Sequence, residues 1–217
     1  MLKKLVAYDL DGTLADTRRD IVCGVRFMLK EMKKPILDEI QIEKYVGEGL
    51  NHLVAMCLGE EDPKTIDRGA GFLRRYYKEH LLDYTRLYPS AECVLEYFKN
   101  RIQVVVTNKP EPFTSKILTA LHVMPYLSAV HTGEQGLPRK PDPAALIKEM
   151  SDRKIRPEEV LWIGDSQIDA QTGKNAGVET VLLRHGFASH VSLESLGAEY
   201  VLDDFTALLA LVREKGW

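Results

Sequence analysis

The chain has 217 residues, of which 45% are hydrophobic and 28% are charged, and its net charge is -3 at pH 7. This composition is ordinary for a globular protein and gives no sign of a surface that binds nucleic acid or a membrane. The three cysteines, Cys23, Cys57 and Cys93, form no CxxC or Cys/His cluster, so we expect reduced thiols, no zinc site and a cytoplasmic location.

Short apolar runs rich in β-branched residues recur along the chain and predict strands. The clearest runs are residues 5–8, 102–106, 159–163 and 178–183, and weaker ones are 127–130 and 199–202. Helical patterns alternate with them, at 112–122, 142–151, 167–175 and 204–214. Continuous apolar runs are typical of strands buried on both faces of a parallel sheet. We therefore predict an α/β fold with a doubly wound, Rossmann-like parallel sheet.

None of these runs approaches the length of a membrane span, and the first stops at an aspartate too early for a signal peptide. We expect no membrane partner.

The segment from residue 18 to residue 86 has a different pattern. It contains helical patterns with almost no strand signal, at 20–32, 37–46, 50–58 and 62–82. We predict that residues 18–86 form a small helical cap, inserted after the first strand of a core made of residues 1–17 and 87–217. A body in two parts leaves a cleft between them, and ligands usually bind in such a cleft.

Reactive side chains follow four of the predicted strands. In chain order they are Asp9 and Asp11, then Thr107 and Asn108, then Lys140, and finally Asp165 and Asp169. The carboxyl ends of the strands form the binding crevice of an open parallel sheet, so we expect these side chains to converge there.

This set of side chains can bind and attack a phosphoryl group. Asp9 and Asp165 on neighbouring strand ends could share a hard cation, and Mg²⁺ suits such oxygen ligands. Thr107 and the backbone amides beside it can hold an anionic oxygen, while Lys140 adds a positive charge.

The spacing of Asp9 and Asp11 suggests two different roles. Residues i and i+2 of an extended strand point the same way, so both carboxylates can address one phosphate. Asp9 could attack it to form an aspartyl-phosphate. Asp11 could protonate the leaving oxygen and later accept a proton from the attacking water. Gly12 gives the backbone freedom to turn immediately afterwards.

The motifs DLDGTLADT, TNK, KPDP and GDSQID, in this order, resemble the four motifs of the haloacid dehalogenase-like hydrolase superfamily. The resemblance spans the whole chain, and the helical insertion looks like the small α-helical cap of that superfamily. VTNKP, KPDP and VGEGL are similar to its phosphoglycolate phosphatase branch.

The resemblance implies roles for four aspartates. Asp9 would be the nucleophile and a metal ligand, and Asp11 the acid/base that also gives its main-chain carbonyl to Mg²⁺. Asp165 would be a direct ligand, and Asp169 would act on the metal indirectly or through water. An aspartate at position 11 counts against true dehalogenase chemistry, because dehalogenases of this pattern lack that acid/base.

The resemblance also implies the substrate contacts and the reaction. Thr107 and Asn108 would bind the phosphate, and Lys140 would balance the charge of the nucleophile and of the phosphoryl group. The expected activity is Mg²⁺-dependent hydrolysis of a small phosphorylated metabolite, first of all 2-phosphoglycolate. Pyrophosphate and sugar phosphates, including phosphotransfer by a mutase, remain alternatives within the superfamily.

Several polar residues also have a plain structural interpretation. Ser166 and Asp169 fit the S-x-x-D capping box that starts a helix, and Thr17 and Asp20 fit the same box. We expect Asp169 to belong to the site, and Thr17 and Asp20 to cap a helix. Lys109, next to Pro110, fits a solvated or loop lysine, although the pattern of the superfamily that the chain resembles often has a lysine there.

The cap segment offers weaker candidates. GEGLNH, residues 47–52, lacks the third glycine of a dinucleotide loop and fits better as a glycine-containing segment that faces the active site. Arg18, Lys44, Asn51 and His52 are possible substrate contacts, although such residues more often lie on the surface.

Two functions of other classes compete with hydrolysis. A signalling receiver domain also combines acidic residues, Mg²⁺, a threonine and a lysine, but its phosphorylated aspartate lies on a later strand and it needs no helical insertion. A binding protein could keep this scaffold without turnover, although the complete set of catalytic side chains weighs against it.

Overall fold

The computed structural model describes residues 1–134, 136–187 and 192–217. Its strands are β1 (Leu5–Tyr8), β2 (Ala15–Asp16), β3 (Arg86–Leu87), β4 (Ile102–Val106), β5 (Ala129–His131), β6 (Val160–Gly164), β7 (Glu179–Leu183) and β8 (Tyr200–Leu202). Its helices are α1 (Arg18–Glu31), α2 (Glu39–Glu43), α3 (Leu50–Leu58), α4 (Pro63–His80), α5 (Ala91–Tyr97), α6 (Phe113–Ala120), α7 (Ala144–Arg153), α8 (Gln167–Ala176) and α9 (Phe205–Lys215). Short 3-10 turns occupy Met124–Tyr126, Pro157–Glu159 and Leu193–Leu196.

Six strands form one sheet in the order β5-β4-β1-β6-β7-β8, and every neighbouring pair is parallel. The central strand β1 is buried throughout. Val6 and Tyr8 belong to one hydrophobic cluster, whereas Leu5 and Ala7 belong to another. Since alternate residues of a strand point to opposite faces, β1 has a core on each side. The predicted α/β fold with a parallel sheet is confirmed.

The weak strand expected at 127–130 begins later, at Ala129. The Leu127 amide donates to the Met124 carbonyl at 3.1 Å in the preceding 3-10 turn, so this residue closes the turn instead of joining the sheet.

Helices α1 to α4 all lie within the predicted cap, residues 18–86, and α1 packs against the other three. The two connections to the rest of the chain pair as an antiparallel ribbon, with Ala15 opposite Leu87 and Asp16 opposite Arg86. These two strands, β2 and β3, have two residues each and are too short to leave a periodic signal in the sequence.

Hydrogen bonds of Asp20 join the first helix of segment 18–86 to the end of that segment. Its buried carboxylate accepts hydrogen bonds from the Tyr84 amide, from the Thr85 amide at 2.8 Å and from the Thr85 hydroxyl at 2.7 Å. The capping interpretation of Asp20 is therefore wrong, because its oxygens bind the segment that returns to the core.

Over the described ranges, the structure contains no helix that is both long enough and apolar enough to cross a membrane.

Candidate active site

A cavity of about 640 Å³, counting space that opens to solvent, lies at the carboxyl ends of β1, β4 and β6. Five of the sequence-predicted site residues line it, namely Asp9, Asp11, Thr107, Asn108 and Asp165. The two others, Lys140 and Asp169, are buried and contact the first aspartate or each other. The structure thus brings all seven residues together, as the strand-end rule predicts.

Lys140 lies between two carboxylates at the base of this site. Its Nζ is 2.7 Å from Asp9 Oδ1 and 2.8 Å from Asp169 Oδ1. The lysine side chain is only 4% exposed, so water screens these charges weakly. Lys140 therefore fixes the orientation of Asp9 and supplies positive charge next to it.

The Asp169 side chain completes the capping box of α8 and also contacts Lys140 in the site. Ser166 at the start of α8 accepts a hydrogen bond from the Asp169 amide, and the Ser166 hydroxyl donates to Asp169 Oδ2 at 2.6 Å. The same Oδ2 accepts from the Asp165 and Ser166 amides, while Oδ1 pairs with Lys140. The capping box consequently holds a carboxylate in place behind the site.

The Asp165 carboxylate accepts hydrogen bonds from two donors and packs closely against the backbone of two glycines. Thr13 Oγ1 donates to its Oδ1 and the Phe187 amide donates to its Oδ2, both at 2.8 Å. A Cβ on Gly12, which has φ +86°, would come within 2.5 Å of Asp165 Oδ2, and one on Gly186 within 2.1 Å. Glycine is required at position 12 for both the left-handed turn and this close approach.

Asp11 is held by two residues whose role the sequence did not reveal. Lys109 Nζ lies 2.9 Å from Asp11 Oδ1 and 3.2 Å from Oδ2, and the Thr17 hydroxyl donates to Oδ1 at 2.6 Å. Lys109 lies in the loop between β4 and α6, but its side chain is only 5% exposed, so the interpretation as a solvated lysine is wrong. Thr17 makes no side-chain capping bond, so its capping interpretation is wrong as well.

Thr107 and Asn108 follow β4 and face the site in different ways. The Thr107 hydroxyl accepts from the Lys109 amide at 3.2 Å, so its own proton can be donated towards the cavity. The Asn108 side chain donates to the Gly47 and Lys140 carbonyls and accepts from the Lys140 amide. Those bonds use both of its amide protons, so its main-chain N–H is the group that we expect to reach a phosphate.

The cap contributes backbone and apolar side chains to the cavity. Gly47 and Gly49 line it, as expected for the GEGLNH segment. The other cap candidates are not among the described lining residues: Lys44 and Asn51 are exposed, His52 lies 3.5 Å from Glu48, and Arg18 donates to the Gly186 carbonyl.

Burial and interactions between charged groups shift the pKa values of the side chains at the base of the site. Burial raises the pKa of Asp9 to about 7, even though Lys140 opposes this shift. Burial, followed by repulsion from Asp169 and Asp9, raises the pKa of Asp165 well above its usual range. Burial would lower the pKa of Lys140, but Asp169 and Asp9 outweigh it and raise that pKa. Lys140 thus pairs with Asp9 and Asp169, while Asp165 has no lysine partner among the described contacts.

This donor set fits a hard divalent cation. Asp9, Asp165 and Asp169 each offer one oxygen, and these three atoms lie within 4.8 Å of one another. Carboxylate oxygens are the ligands that Mg²⁺ prefers, and its charge would offset the repulsion just described. Asp9 and Asp165 line the cavity, whereas Asp169 is fully buried and is not among its described lining residues, so Asp9 and Asp165 are the better direct ligands.

The raised pKa of Asp9 predicts that stability of the metal-free protein depends on pH. Between the ordinary value of 3.8 and about 7, the folded state binds more protons at Asp9 than the unfolded state does. The contribution of this group to the free energy of unfolding therefore falls as pH rises through that window. Asp9→Asn removes the titration, so in EDTA the Tm of the variant minus that of the wild type will increase towards pH 7. A difference that stays constant across the window would contradict this prediction.

Comparisons with known proteins agree with this arrangement. The family model described as haloacid dehalogenase-like hydrolase matches residues 6–183. Phosphoglycolate phosphatases from Pseudomonas putida and Haemophilus influenzae are 32% and 31% identical to the chain, over 96% of its length and over 79% and 98% of theirs.

Solved structures share the fold. The crystal structure of a predicted phosphoglycolate phosphatase from Haemophilus somnus has a TM-score of 0.91 and 28% identity, covering 97% of this chain and 98% of that one. A haloacid dehalogenase-like hydrolase from Bacteroides fragilis has a TM-score of 0.87 at 23% identity, covering 95% of this chain and 99% of that one.

Proposed function

The chain belongs to the haloacid dehalogenase-like hydrolase family and is a phosphoric monoester hydrolase, and we propose that its substrate is 2-phosphoglycolate, cleaved through a phosphorylated Asp9. The relatives from Pseudomonas putida and Haemophilus influenzae, which match it over 96% of its length, are phosphoglycolate phosphatases. The receiver-domain alternative is excluded by the match to the hydrolase family.

In the first step, the carboxylate of Asp9 attacks phosphorus and the bond from phosphorus to the ester oxygen breaks. Lys140 orients the nucleophile from 2.7 Å, and Thr107 and the Asn108 amide donate to the phosphoryl oxygens. Asp11, two residues further on, gives its proton to the leaving oxygen. That oxygen therefore leaves as the hydroxyl group of glycolate and not as an alkoxide.

In the second step, water attacks phosphorus and the bond to the Asp9 oxygen breaks. Asp11 accepts the proton from that water and so returns to its protonated form. Inorganic phosphate leaves, and Asp9 is again a carboxylate paired with Lys140. The contacts from Lys109 and Thr17 keep Asp11 beside the cavity through both steps.

We propose that Mg²⁺ is the metal, held by Asp9, Asp165 and the main-chain carbonyl of Asp11, with Asp169 acting through its contacts to Asp165 and Lys140. When bound, the ion supplies positive charge that offsets the carboxylates and polarises a phosphoryl oxygen.

The observation that carries this proposal is that Asp9 and Asp11 line one cavity but have different partners, Lys140 for the first and Lys109 with Thr17 for the second. A nucleophile must stay ionised and an acid/base must exchange a proton, so two environments are what a two-step hydrolysis needs.

A substrate panel tests the proposal. With Mg²⁺, we expect kcat/KM for 2-phosphoglycolate to exceed that for pyrophosphate and for hexose phosphates by at least about tenfold, and EDTA to abolish turnover. The cap side of the cavity is largely apolar, which disfavours the hydroxyl groups of a sugar. Equal or higher kcat/KM for pyrophosphate or a hexose phosphate would reject 2-phosphoglycolate as the substrate.

A further inference from the structure

The cavity has an uneven distribution of charge. Its floor carries the carboxylates of Asp9, Asp11 and Asp165. Its cap side is formed mainly by apolar side chains, namely Ile21, Val46, Leu50, Leu53, Leu73 and Tyr77. Among the described residues that line it, Lys109 has the only cationic side chain. An anionic leaving group would be costly to bury in such a cavity without a positive partner, and Lys109 is the partner that the lining offers.

The position of Lys109 fixes where such an anion would lie. Its Nζ contacts both oxygens of Asp11, at 2.9 and 3.2 Å, and lies 5.2 Å from the centre of the Tyr77 ring. An ammonium group has three protons, and the contacts with one carboxylate leave at least one of them for another acceptor. The donor therefore lies next to the acid/base, on the apolar side of the cavity.

We propose that Lys109 binds the carboxylate of the substrate, so that the enzyme selects phosphate esters of α-hydroxy acids. This inference rests on the proposed function, because that function puts the ester oxygen beside Asp11. In an α-hydroxy acid ester, one carbon separates the ester oxygen from the carboxylate. A cation in contact with the acid/base is thus within reach of an anion at this position, whereas a neutral leaving group gains nothing from it.

Holding Asp11 and binding the leaving group are two different roles for Lys109. A lysine whose only task is to hold Asp11 would affect every phosphate ester equally, since Asp11 acts on the ester oxygen of each. A lysine that also binds the leaving group changes the preference between esters. The two roles therefore differ in the ratio of kcat/KM values and not in the loss of activity alone.

The test compares 2-phosphoglycolate with ethyl phosphate, which has a methyl group in place of the carboxylate. We expect Lys109→Met to lower kcat/KM for 2-phosphoglycolate by roughly 10- to 100-fold more than for ethyl phosphate, mainly through KM, as for the loss of a hydrogen bond between charged groups. Lys109→Arg retains the charge and should restore part of the ratio. Lys116→Met, at an exposed position of α6, is the matched control and should leave the ratio unchanged.

The outcomes separate this inference from the proposed function. If the wild type prefers 2-phosphoglycolate and Lys109→Met lowers both kcat/KM values by the same factor, Lys109 only positions Asp11 and the inference is overturned. If the wild type shows no preference for 2-phosphoglycolate over ethyl phosphate, both the inference and the assigned substrate are overturned. Circular dichroism of each variant confirms that the comparison concerns folded protein.

Discussion

Replacing Asp9 with asparagine will lower kcat for phosphate ester hydrolysis by about four orders of magnitude or more. The amide cannot form the aspartyl-phosphate, and loss of an attacking group typically costs an enzyme most of its rate enhancement. The side chain keeps nearly the same shape, and Lys140 keeps its contact with Asp169 at 2.8 Å. The measurement is phosphate release at saturating substrate with Mg²⁺.

Asp67→Asn, which changes an exposed aspartate of α4, is the matched control and should keep the wild-type kcat. If Asp9→Asn retained hydrolysis within about tenfold of the wild type, the covalent mechanism would be wrong, because water would then be attacking the phosphate directly.

The second large effect concerns Lys140, which Asp9 and Asp169 share. We expect Lys140→Met to lower kcat by a factor on the order of 10² to 10³, because the positive charge beside the nucleophile is lost. It should also lower the free energy of unfolding in EDTA by about 3–5 kcal/mol, since removing one partner of a buried ion pair leaves the other uncompensated. Activity assays and urea titrations measure the two effects separately.

Lys174→Met, at an exposed position of α8, is the control for the second experiment and should change neither quantity. A Lys140→Met variant with wild-type stability would show that the contacts at 2.7 and 2.8 Å contribute little to folding. Wild-type kcat in that variant would remove Lys140 from the mechanism.

The sequence was sufficient for the sheet and for the positions of Asp9, Asp11, Thr107, Asp165 and Lys140. Continuous apolar runs mark buried parallel strands, and the residues after them must meet at one edge of the sheet. Both rules depend on local sequence and on general topology, so they need no knowledge of individual contacts.

The partners of Asp11 could not be predicted in this way. Lys109 reaches it across 98 positions of the chain, and its neighbours in sequence are those of an ordinary loop lysine. Thr17 fits a capping box, yet its hydroxyl binds Asp11 instead. The pattern of residues near a helix start does not reveal whether a strand end lies close enough to compete for the same hydroxyl.

Asp169 shows the opposite situation, because its capping interpretation is confirmed and the same side chain also contacts a predicted site residue. Its Oδ2 completes the capping box of α8, and its Oδ1 contacts Lys140. A carboxylate has enough lone pairs for both tasks, so the local signal and the site role did not have to exclude each other.

Chemical trapping of the phosphorylated residue tests the central claim most directly. Enzyme mixed with excess 2-phosphoglycolate and Mg²⁺ is quenched in acid during steady-state turnover and treated with borohydride, which reduces an aspartyl-phosphate to homoserine. Peptide mass spectrometry should find homoserine at position 9, and none there when substrate is left out. Homoserine at position 11 or 165, with Asp9 unchanged during turnover, would contradict the assignment of Asp9 as the nucleophile.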